Sequence, residues 1–64
     1  MTPKEFKRLR SQAELTQAEV GERLGVTRVT VARWEIGDRR IPEMAARLLA
    51  RIAEDERRKG KRGR

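Results

Sequence analysis

The chain has 64 residues and a mass of 7.4 kDa, which is room for one small domain with a small core. Seventeen Lys and Arg against ten Asp and Glu give a net charge of +7, and charged residues (42%) outnumber hydrophobic ones (36%), so the chain is water-soluble and drawn to polyanions. With no His, Cys or Tyr, the usual zinc sites, cysteine nucleophiles, imidazole acid–base pairs and disulfides cannot be built, and no enzyme activity, metal or cofactor is expected.

Thr2-Pro3-Lys4-Glu5 opens a first helix with an N-cap, a proline in the first turn and the glutamate of a capping box. Phe6, Leu9 and Ala13 follow at helical spacing, and Arg10 occupies the position that completes the apolar stripe, so a charge is expected on the buried face. Thr16 and Glu19 repeat the capping signal ahead of a second helix bearing Val20 and Leu24, and Gly25 ends it. Thr27 can cap a third helix from Arg28 to about Ile36, with Gly37 as its stop. After the polar loop Asp38-Arg39-Arg40, Ile41-Pro42-Glu43 starts a fourth helix. Met44, Ala45, Leu48, Leu49 and Ile52 give that helix a broad apolar face as far as Asp55 or beyond. Residues 57–64, RRKGKRGR, hold six basic residues, no acid and two glycines, and are expected as a disordered basic tail. Without them, residues 1–56 carry eleven basic and ten acidic side chains, a net of +1. Recognition by the folded part must then rest on where its charges are placed, with the tail adding a less specific attraction. No apolar run approaches the roughly 18 residues that span a bilayer, and MTPKEFKRLR has no signal-peptide apolar segment, so a cytoplasmic protein with no membrane partner is expected.

Residues 17–36 combine these signals into a helix-turn-helix. Gly21 falls where the two helices cross, Gly25 supplies the turn, and Val20, Leu24, Val31 and Trp34 supply the shared core. At about 100° per residue, setting Val31 inward also turns Trp34 and Glu35 inward and leaves Val29, Arg33 and Ile36 outward. Inward phase makes Trp34 a core residue rather than a platform for stacked bases. Arg28 and Val29 sit at the end of the third helix that enters the major groove in helix-turn-helix docking. An arginine can donate two hydrogen bonds to guanine, and a small apolar side chain can meet a thymine methyl, so Arg28, Val29 and Arg33 are the candidate base readers. Gln17, Thr27, Thr30, Arg39 and Arg40 surround that helix with donors suited to phosphate.

The stretch TQAEVGERLGVTRVTVARWEIGDRRIP resembles the Cro and phage-repressor helix-turn-helix family, also called the XRE family, over roughly residues 4 to 52. The resemblance implies an all-α, lambda-repressor-like DNA-binding bundle, here with four helices, and setting the basic tail apart gives it the bounds 1–56. It also implies a phosphate contact at Gln17, base contacts at Arg28, Val29 and Arg33, a backbone-tracking loop at Arg39 and Arg40, and an interior pair between Arg10 and Glu35. The implied function is sequence-specific binding of double-stranded DNA by a repressor or autoregulator of a phage, mobile-element or anti-CRISPR operon, acting as a homodimer on an inverted repeat. Met44, Leu48, Leu49 and Ile52 are the candidate dimer surface, with plain core packing as the competing role. The alternative is an antitoxin that binds a protein toxin through helix 4 and autoregulates its operon.

Overall fold

Each expected cap closes a helix in the computed structural model, which describes residues 1–62, with side chains through Arg58. The helices are α1 (Pro3–Gln12), α2 (Gln17–Leu24), α3 (Arg28–Glu35) and α4 (Glu43–Arg62). At α1 the Glu5 amide donates to Thr2 Oγ1 (3.1 Å) and the Thr2 amide donates to Glu5 Oε1 (2.9 Å). That backbone hydrogen bond from Thr2 is the main reason the Glu5 carboxyl titrates below its ordinary range. Thr16 and Glu19 repeat the reciprocal pair at α2, with 3.1 and 2.8 Å. Thr27 accepts from the Thr30 amide at 3.2 Å to start α3.

Phe6, Val20, Val31 and Leu49, one from each helix, are fully buried and form the centre of the core, joined by Ala13, Leu15, Trp34 and Ala45. Phe6 meets Trp34 edge to face, with ring centroids 5.5 Å apart at 69°, so Trp34 is a core residue as its phase required. α2 packs on α3, while α1 packs on both α3 and α4. The α2–α3 contact depends on Gly21. A β-carbon there would lie 2.7 Å from the Val26 carbonyl oxygen and 3.3 Å from the Thr27 carbonyl carbon, so the turn folds back onto a helix face that has no side chain. Gly25 has φ +77, the left-handed conformation that ends α2.

Two features depart from the sequence expectations. α1 ends in a motif closed by Glu14 N to Ser11 O (2.9 Å) and Leu15 N to Arg10 O (3.2 Å), with Glu14 itself at φ +59. This left-handed residue turns Leu15 into the core, a burial that helical periodicity does not reach because the residue lies in a loop. The expected disordered tail, residues 57–64, is helical as far as Arg62, and residues 63 and 64 lie outside the described residues. Arg and Lys are good helix formers, cations suit a helix C-terminus, and Arg57 pairs with Glu54 one turn earlier, so local energetics favour continuing the helix. The described chain measures 38 × 19 × 17 Å, its length matching a helix of about 30 Å that outruns its neighbours.

The apolar face of α4 is also divided. Leu49 is buried and Ile52 packs half-buried against the core, so neither is a free dimer contact, whereas Met44 and Leu48 are 70% and 41% exposed. The face is wider than the bundle it covers.

Two substitutions at turn positions should move stability in opposite directions. Gly21→Ala should destabilise by about 1–3 kcal/mol, because the clash is with backbone that cannot rotate away. Glu14→Gly should stabilise by roughly 0.5–1 kcal/mol, the relief of a left-handed residue less the entropy a glycine loses on folding. Urea denaturation followed by circular dichroism measures both, and equal or reversed signs would contradict this account of the turns.

Candidate nucleic-acid interface

The inward half of α3 is anchored by an ion pair that the sequence placed on facing positions. Arg10 Nε donates to Glu35 Oε2 at 2.6 Å and its Nη2 to Oε1 at 3.1 Å, while Nη1 donates to the Leu15 carbonyl at 2.8 Å. The Glu35 side chain is 4% exposed and that of Arg10 15%. No buried side-chain polar atom among the described residues lacks a hydrogen bond, so this desolvated pair is fully satisfied.

Locking Glu35 inward orients the rest of α3. Arg33, two residues earlier and about 200° around the helix, is turned to solvent with its side chain 49% exposed. Arg28 is exposed and Val29 is 51% exposed, while Thr30 is half-buried beside Thr27, the two hydroxyls lying 2.9 Å apart. Val29 and Arg33 therefore share the open side of one short helix, while Arg28 is exposed as its first residue. α1, α2 and α4 each carry a glutamate in the first turn, and α3 carries none. Its positive N-terminal end is left without a carboxylate to offset it.

The loop after α3 closes the site on one flank. Asp38 N and Arg39 N both donate to the Arg33 carbonyl, at 2.9 and 3.4 Å, which holds the loop against the end of the helix. Thr30, Arg33, Trp34, Arg39 and Arg40 line a cleft of about 460 Å³, so three guanidinium-bearing residues border one depression. Asp38 Oδ2 lies 3.9 Å from Arg33 Nε, a partial counter-charge between two half-exposed groups.

A family model described as a helix-turn-helix domain matches residues 4–55, most of the chain. This chain belongs to the helix-turn-helix domain family. That family is associated with XRE-like DNA-binding proteins and is typically non-enzymatic. No curated protein and no solved structure gives a match. Among the described residues no helix of this helix-turn-helix domain is long and apolar enough to cross a membrane, and no cluster of metal-binding side chains occurs.

The placement of the sequence-derived candidates within the helix-turn-helix domain is uneven. Arg28, Val29, Thr30 and Arg33 lie together on α3, Thr27 caps it, and Arg39 and Arg40 flank it. Gln17 is half-buried and its Nε2 donates to Glu35 Oε1 at 3.2 Å, so the amide expected at phosphate ties the start of α2 to the interior pair. Ile36, which caps the end of α3 and is 78% exposed, is marked in the sequence by its outward phase alone.

Removing one partner of the interior pair should be costly. Arg10→Ala or Glu35→Ala alone should destabilise by about 3–5 kcal/mol, because the remaining charge is left buried. The double substitution should cost clearly less than the sum of the singles, and strict additivity in a double-mutant cycle would exclude direct coupling.

Proposed function

We propose that the chain is a sequence-specific regulator that places α3 in the major groove of duplex DNA. The observation that carries this reading is the exposed face of α3 formed by Val29 and Arg33, with Arg28 exposed at the first position of a helix whose N-terminus has no acidic residue. In this scheme Arg28 and Arg33 donate to guanine edges and Val29 meets a thymine methyl. Thr27, Thr30, Arg39 and Arg40, with Gln17 at the start of α2, hold the flanking phosphates and set the register.

The protein acts as a homodimer on an inverted repeat, with Met44 and Leu48 of α4 in the two-fold contact. Both are exposed apolar side chains one helical turn apart, which supports a packing role beyond the core. Repression follows from occupying a promoter, and the resemblance to phage repressors supports autoregulation of a phage, mobile-element or anti-CRISPR operon. The same α4 face also suits a protein toxin, and that antitoxin reading is favoured if a second small protein co-purifies with the chain.

Selection from a random duplex pool at about 150 mM salt, where non-specific attraction is screened, should enrich an inverted repeat. On that site Arg28→Ala should cost about 1–3 kcal/mol and relax the preference at one base pair, whereas Arg40→Ala should weaken all sequences alike and lower the salt slope by about one. A pool that stays random, or a uniform loss for Arg28→Ala, would refute base reading by α3.

A further inference from the structure

Ile36 is the most exposed large hydrophobic side chain among the described residues, at 78%, and neither the core nor the base-reading scheme above uses it. Single exposed apolar residues are common on protein surfaces and carry no message by themselves. This one is aligned with others. The Ile36 amide donates to the Ala32 carbonyl at 3.1 Å and its backbone stays right-handed at φ −95 and ψ 0, so the helical register of α3 extends through it. The chain leaves that register only at Gly37, with φ +82.

With Val29 set at zero and an advance of about 100° per residue, Arg33 lies at about +40° and Ile36 at about −20°. The three fall within an arc of about 60°, and Ile36 is closer in phase to Val29 than Arg33 is. Any docking that points Val29 and Arg33 at base edges points Ile36 there too. Thr30, Arg33 and Trp34, the α3 residues of the basic cleft, lie from about +40° to about +140°, and Ile36 is not among its walls. The outward side of α3 is therefore divided. A cationic cleft lies on one side, an apolar edge of Val29 and Ile36 on the other, and Arg33 on the border.

Seven residues separate Val29 from Ile36 along the axis, about 10 Å, which is about three base steps of roughly 3.4 Å. Among the groups that bases present in the major groove, the C5-methyl of thymine is the apolar one. From Thr27 to Gly37 the single carboxylate is that of Glu35, held inward by Arg10 and Gln17, so no acid on this face opposes the approach of DNA.

We infer that Ile36 is a further specificity-determining residue, packing its side chain on the C5-methyl of a thymine about three base pairs from the one met by Val29. The inference rests on the entry of α3 into the major groove proposed above. DNA is favoured over a second protein because the apolar edge is continuous with Val29 and Arg33, and the neighbouring Arg28, Arg39 and Arg40 are exposed cations.

The test replaces the thymines of one half of the selected operator by deoxyuridine, one at a time, which removes only the methyl. Affinities of the native chain, Ile36→Ala, Ile36→Val and Val29→Ala are measured by fluorescence anisotropy. For the native chain one such uracil should cost about fourfold, the factor for one buried methylene. Ile36→Ala should bind the thymine operator at least about fourfold more weakly and respond to that uracil by less than about 1.5-fold, because the two deletions remove the same contact. Ile36→Val, which keeps the branched β-carbon, should retain most of the sensitivity, and Val29→Ala should retain all of it. The melting temperature of Ile36→Ala should match that of the native chain, since the side chain is outside the core. A selected operator with no thymine at that distance, or equal uracil effects in the native chain and Ile36→Ala, would overturn the contact while leaving α3 in the groove. So would a loss in Ile36→Ala that sedimentation traces to a dissociated homodimer. If the random pool enriches no site, α3 does not read bases and the contact falls with that reading.

Discussion

A guanidinium and a carboxylate, closed on each other at 2.6 Å and almost removed from water, hold together three of the four helices. Arg10 comes from α1 and Glu35 from α3, Gln17 adds the start of α2, and the Leu15 carbonyl adds the loop between α1 and α2. Arginine is required because its planar fork can meet both carboxylate oxygens and still donate to a backbone carbonyl, which a lysine ammonium cannot match in geometry. A buried pair is not an efficient source of stability, since apolar residues of similar volume often do as well. What the pair does supply is a rotational setting for α3. With Glu35 fixed inward, Arg33 has nowhere to go but outward and Val29 follows from the same helical phase, while Arg28 is exposed as the first residue of the helix. The same contact that closes the core thereby aims the exposed face of α3.

Much of this was legible in the sequence because the decisive signals are local. Thr2, Thr16 and Thr27 each start a helix, and the first two bring the glutamate three residues on, so the helix starts follow from hydrogen bonds between near neighbours. The inward phase of Arg10 and Glu35 was readable by rotation, and so was the burial of Trp34. What was hidden depends on tertiary placement. Leu15 reaches the core only because Glu14 adopts a left-handed conformation usually left to glycine, and no composition rule marks it. Gln17 had several polar partners open to it, and only the assembled bundle brings Glu35 within 3.2 Å. The extension of α4 was obscured by a composition typical of disordered ends, against which helix propensity and the acidic turn before it prevail.

The electrostatic design separates quantity of charge from its placement. The bundle is close to neutral, and ion pairs such as Arg23–Glu56 and Arg47–Glu43 balance much of its surface. Near α3 that balance lapses. The first turn of the helix lacks the carboxylate that its three counterparts have, and Arg39 and Arg40 border the cleft beside Arg33. In the proposed function such a surface attracts a polyanion weakly as a whole and orients it in one place, which is the condition for selectivity over mere adhesion.

Trp34 has a place in two environments at once. It is 5% exposed with its ring edge against Phe6 in the core, and it also lines the cleft shared by Thr30, Arg33, Arg39 and Arg40. It is the only tryptophan, and the chain has no tyrosine. The near-ultraviolet emission of the protein therefore comes from one indole seated between the hydrophobic centre and the basic cleft. Loss of the fold exposes that ring to water, whereas an anion entering the cleft alters the field around it without unpacking Phe6. One native fluorophore can thus distinguish melting from occupancy, with no label introduced.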